Sequence, residues 1–122
     1  MIVQYARERG YQGPQKDPHL TLGENYIVLG INFRPNSGMY PHSVTIQSDS
    51  DGTPGLWELS FFDVIDPRLP NGWAFFDLGG GYYSLEPEEF FGDFWDCFHD
   101  GDESAERVFT QAVEKVRGFH TN

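Results

Sequence analysis

The spacing of apolar residues changes several times along this chain, and the changes divide it into predicted elements. From Leu20 to Phe33 the residues Tyr26, Val28 and Gly30 alternate with Ile27, Leu29 and Ile31. An extended run with apolar residues on both faces predicts a central strand, and Gly30 marks a bulge or bend within it. Val44-Thr-Ile-Gln47 alternates as a second strand, and Leu56 to Ile65 reads as a third. Trp73–Asp77 and Tyr82–Ser84 predict two short strands around a tight turn at Gly79-Gly-Gly81. Turn-rich segments at 34–41, 48–55 and 66–72 separate these runs.

The period then lengthens. Phe90, Phe91, Phe94, Trp95 and Phe98 recur at helical spacing, Pro87 suits a first helical position, and Gly101 suits a helix stop. These features predict a helix over 86–99 with one aromatic side. A second helix is predicted over 103–118, with Asp102 as its N-cap and Ala105, Val108, Phe109, Ala112, Val113 and Val116 on one face. Its solvent side carries Glu103/Arg107 and Gln111/Lys115 at supportive spacing. Residues 1–19 hold a short apolar group, Ile2, Val3 and Tyr5. A polar, Gly- and Pro-punctuated stretch follows, and the whole segment is expected to be irregular and to pack along the domain edge. The fold class expected for residues 1–122 is one α+β domain, with 20–84 mainly strands. Its sheet should be small, bent and antiparallel, or a partial SH3-like barrel, followed by the two C-terminal amphipathic helices.

Composition narrows the partners. A chain of 122 residues buries about two-thirds of its unfolded surface, and eleven phenylalanines, six tyrosines and three tryptophans supply ample material for a core. The net charge of −11 argues against nucleic acid or an anionic membrane as partner. It fits a basic protein, a bound cation, or solubility alone. Cys97 is the single cysteine, so no internal disulfide is expected. Residues 1–9 lack the apolar core of a signal peptide and no run reaches membrane-spanning length, which makes the cytoplasm the expected compartment.

Catalytic and metal motifs are sparse. Counting Gln47 as position 1, Asp49, Asp51, Gly52 and Glu58 fall at calcium-loop positions. The first position is an amide, Pro54 holds a usually apolar place, and both flanks read as strands, so a hairpin loop is the expectation. His19, His42, His99 and His120 make no metal-binding spacing. The triple glycine precedes no Lys-Ser/Thr, and no Gly-x-Ser-x-Gly is present. Cys97, among aromatics and carboxylates, should have a disfavoured thiolate. No catalytic residue, metal site or cofactor is assigned.

The acids of the first predicted helix stand out instead. Glu86, Glu88 and Glu89 at its start, and Asp102, Glu103 and Glu106 at the start of the next, have ordinary helix-dipole explanations. Asp93 and Asp96 would fall toward a helix C-terminus, where each anion costs about 0.3–1 kcal/mol. Glu89, Asp93, Asp96 and Asp100 share one face with no cation interleaved. Together with Asp102 they are the candidate partner-binding acids. Trp73 joins them as a residue that serves either the core or an aromatic contact.

The run Leu20–Ile31, then Pro87–Asp102 and the closing helix from Ala105, resembles small bacterial immunity proteins over about residues 20–118. Those proteins neutralise toxin domains of contact-dependent growth inhibition and related polymorphic toxin systems. The resemblance implies an inhibitor that acts by binding, with no catalytic set. Its partner would be a cognate basic toxin domain, often a nuclease, whose cleft or adjacent basic surface the acidic face would occupy. Two alternatives stay open: a small carboxylate- or metal-dependent enzyme, and a regulatory module for another basic protein.

Overall fold

In the computed structural model, which describes residues 1–7, 19–35 and 41–121, the protein is built from two antiparallel sheets and a C-terminal helical layer. The smaller sheet has β1 (Ile2–Tyr5) in the middle, β2 (Asn25–Ile27) on one side and β6 (Phe62–Asp66) on the other. The larger sheet also contains β3 (Gly30–Phe33), β4 (His42–Gln47), β5 (Pro54–Glu58), β7 (Trp73–Gly79) and β8 (Tyr82–Pro87), in the spatial order β5-β4-β3-β8-β7. The α+β expectation holds, and neither sheet closes into a barrel.

The run at 20–33 is two strands in two sheets rather than one. Its hydrogen bonds change partner at the break: the Val28 N–H donates to the Met1 carbonyl and the Leu29 N–H to the Thr45 carbonyl. The second half meets the expectation, because β3 is the middle strand of five. The run at 56–65 divides in the same way. A single 3-10 turn, Leu59–Phe61, carries the chain from β5 in the large sheet to β6 in the small one. The two crossings let one core serve both sheets. Val3, Tyr5 and Phe62 from the small sheet meet Ile31, Val44, Ile46 and Trp57 from the large one.

The N-terminal expectation is overturned for the residues described. Ile2–Tyr5 is a central strand, and Val3 and Tyr5 are fully buried. Alternation puts these two on the core face, a signal too short to read without the flanking strands. Residues 8–18, including Arg9 and Lys16, lie outside the described residues, as do 36–40 of the connection after β3.

The first predicted helix is largely replaced. Pro87 ends strand β8 opposite Trp73, a 3-10 turn spans Glu88–Phe90, and Gly92 takes a positive φ of 65°. Only then does α1 (Phe94–His99) begin, and Gly101 ends it at φ 82° as expected. The following helix, α2 (Glu103–Thr121), runs three residues beyond the expected end. Its cap is the predicted one: the Ala105 N–H donates to Asp102 Oδ1 at 3.0 Å. Ala105, Phe109, Ala112, Val113 and Val116 recur at helical spacing and bury one stripe against Leu29, Phe90 and Phe94. Fully burying a side chain as large as Phe109 contributes about 1.5–3 kcal/mol. Phe90, Phe94, Trp95, Phe98 and Phe109 form one ring cluster, with Phe90 and Phe94 centroids 4.4 Å apart. Phe91 leaves the predicted aromatic wall and is 66% exposed.

Candidate functional site

Two features near α1 carry the chemistry: an exposed group of acids and a cavity with a buried one. The break at Gly92 changes the setting of the acids. Asp93 is the N-cap residue of α1, and Asp96 stands midway along a helix of six residues. The N-terminal partial charge therefore favours Asp93, where the helix-end cost expected from sequence is absent. Glu89 leaves the group as well. It belongs to the 3-10 turn, where Lys115 Nζ of α2 donates to its Oε2 at 3.3 Å. Asp102 has a structural task as the cap of α2. Trp73 is half-buried and packs against both hydrophobic cores, so it serves the interior.

What survives is a surplus of exposed anions. Asp93, Asp96, Asp100 and Asp102 are all exposed, and so are Glu103 and Glu106 in the first turn of α2. Among the described residues, the ion pairs join Arg7 to Asp63, Arg68 and His120 to Asp66, and Lys115 to Glu89; none reaches these six acids. Cys97, inside the same helix, has its thiol pKa raised by burial first and by Asp93 second, which keeps it protonated as expected.

The acids of the 48–55 loop are engaged locally. Asp51 Oδ1 accepts from the Ser48 hydroxyl at 2.7 Å and from the Thr53 N–H at 2.9 Å. Asp49 Oδ2 accepts from the Thr21 and Tyr26 hydroxyls at 2.6 and 2.9 Å. The loop joins β4 to β5 as a hairpin, in line with the sequence. Among the described residues no group of three or more acidic, histidine or cysteine side chains is placed to hold a metal ion.

The cavity arises on the larger sheet, on the face turned away from the shared core. Directly paired residues share a face, so Leu56, Thr45 and Gly30 form one row across it, while Asn32 and Ser84 belong to the next. Glu86 follows Ser84 on the same side of β8. Asn32, Thr45, Pro54, Gly55, Leu56, Glu86, Trp95 and His99 line a cavity of about 380 Å³. Thr45 and Glu86 are buried, with Glu86 only 6% exposed, whereas Leu56 and His99 are exposed. The cavity thus runs from an open rim at Leu56 and His99 to a polar base.

Gly30 makes room for that base. A Cβ at this position would stand 3.2 Å from Glu86 Cβ, 3.3 Å from Glu86 Oε2 and 3.4 Å from Thr45 Oγ1. The missing side chain leaves room for the Glu86 carboxyl and the Thr45 hydroxyl on either side of β3. Burial pushes the Glu86 pKa from 4.5 up to about 7, and the hydrogen bond from Trp95 offsets only part of the shift. Ser84, two residues earlier on the same face, has a buried hydroxyl with no hydrogen-bond partner among the described residues.

No family model, curated protein or solved structure matches this chain. Its chemistry must be read from the residues themselves. Glu86 was the residue least visible in the sequence, where it reads as a helix-start acid. A local signal did exist: a residue before proline is pushed toward extended backbone, and Ser84-Leu-Glu86 continues the alternation of β8. Its burial was not a local property, because it depends on β3, β4 and α1. No helix among the described residues is long and apolar enough to cross a membrane.

Proposed function

We propose that this protein is a cytoplasmic inhibitor of the immunity type, which neutralises a basic toxin domain by covering its cationic surface. The carrying observation is the group of exposed acids on α1 and the first turn of α2, to which no cation of the described chain is paired. Such a surface attracts a cationic partner from a distance and repels nucleic acid from the same cleft. Phe91, exposed just before Asp93, supplies an aromatic ring beside the charges. Tight interfaces draw most of their binding energy from a few buried aromatic or arginine anchors, while charge sets the rate of encounter. A toxin that cuts nucleic acid has the required basic cleft.

The test begins with the product of the neighbouring gene, purified with and without this protein. Stable association and protection of sensitive cells from that product are expected. Replacing Asp93 and Asp96 by lysine should slow association and weaken its dependence on salt. Unchanged association kinetics in this variant would remove the α1 acids from the interface.

One observation favours a second reading. A carboxyl with a pKa near neutrality at the base of a cavity is suited to proton transfer, as a small carboxylate-dependent enzyme would require. That reading calls for turnover of some substrate to be lost in Glu86→Gln with the fold intact. Preserved toxin neutralisation by the same variant would separate the two functions.

A further inference from the structure

We propose that the cavity lined by Glu86, Thr45, Asn32 and Trp95 is a receptor for one guanidinium group, the head of an arginine side chain presented by a basic partner. The source of that arginine rests on the inhibitor reading above; the chemistry of the cavity does not.

The case starts from the composition of the lining. Its polar side chains are a carboxyl, a carboxamide, a hydroxyl, an indole and an imidazole, and among the described residues no lysine or arginine lines it. Glu86 is 6% exposed, and among the described residues the Trp95 indole is the one group that favours its anion. A buried carboxylate without a counter-ion is costly, and the chain spends this cost at a position where glutamine would keep the size and the Trp95 contact. A bound cation removes the penalty, because it pairs with the charge inside the cavity rather than leaving it alone.

Three details favour guanidinium over ammonium. Guanidinium is more weakly hydrated, so it loses less on entering a site with Leu56, Pro54 and Trp95 in its walls. Its planar fork can donate to several acceptors at once, and Glu86 Oε2 and Thr45 Oγ1 each stand close to Gly30, with Asn32 also in the lining. Trp95 contributes an indole to the lining, an aromatic of the kind a planar guanidinium packs against. A volume of about 380 Å³ admits a side-chain head group and its methylene stem, and sits near the lower end of typical ligand cavities. The protein's charge of −11 raises the local concentration of any cation near the rim.

The probe is Nα-acetyl-arginine amide, titrated into the full-length protein while the Trp95 indole N–H resonance is followed by NMR. Nα-acetyl-citrulline amide, which replaces the cation by a neutral urea of the same shape, is the control and needs no mutation. A saturable shift with the arginine compound is expected, with binding of the citrulline compound at least about tenfold weaker. Glu86→Gln should weaken arginine binding by about the same factor, and loss of the buried charge should not prevent this variant from folding. Equal binding of the two compounds, or full retention of arginine binding in Glu86→Gln, overturns the proposal. Failure of the neighbouring gene product to associate would sink the inhibitor reading and leave the arginine titration to stand or fall separately.

Discussion

Glu86→Gln tests the cavity through stability alone, without any ligand. In the folded protein burial raises this carboxyl from 4.5 to about 7, so between those values the native state holds a proton that the unfolded chain has released. Stability therefore falls as pH rises through this window. The contribution of the neutral acid is fully present below about pH 4.5 and is lost above about pH 7. At about 1.36 kcal/mol per unit, the whole window corresponds to roughly 3 kcal/mol. Glutamine keeps the shape and cannot ionise, so the variant should escape the loss. Urea unfolding of both proteins across the range from about pH 4 to pH 8 gives the comparison directly. His99, the other titratable group on the lining, is present in both proteins and drops out of the difference to first order. The variant and wild type should be nearly equally stable at the acid end, and the variant more stable by roughly 2–3 kcal/mol at the alkaline end. A difference that stays flat across this range would show that the Glu86 carboxyl is solvated in solution and refute its burial at the cavity base.

Three further outcomes follow from the packing and the charges. Asp102→Ala removes the acceptor for the Ala105 N–H and should cost about 1 kcal/mol of stability in urea unfolding. Phe109→Ala opens a hole beneath Phe90, Trp95 and Phe98 and should cost about 3–5 kcal/mol, read by thermal or urea unfolding. Arg68 holds the Asp66 carboxyl well below the usual carboxylate range, aided by His120. Its stabilisation is present above the unfolded pKa and lost as pH falls through the folded one, so Asp66→Asn should flatten the acid limb of the stability profile.

Much of this protein was determined by its sequence in isolation, wherever neighbours in the chain decide the structure. The helix α2 needs only its own period and the Asp102 cap, and it starts where those signals place it, just as Gly101 stops α1 where expected. The β7–β8 turn is equally local: Gly79, Gly80 and Gly81 all take positive φ, which other residues rarely adopt. Tertiary structure decided what depends on remote partners. An alternating run does not reveal that its hydrogen bonds pass from one sheet to another, so the breaks at Val28–Leu29 and Leu59–Phe61 became visible only with both sheets assembled. The tetrapeptide at Ile2–Tyr5 is central because β2 and β6 arrive on either side of it. Pro87 is compatible with a helix start and with a strand end, and pairing with Trp73 selected the strand. That choice moved Asp93 and Asp96 to the beginning of a shorter helix and turned Glu86 from a solvent-facing acid into a buried one. A carboxyl takes its pKa from whatever surrounds it, and here the surroundings come from β3, β4 and α1, far apart along the chain.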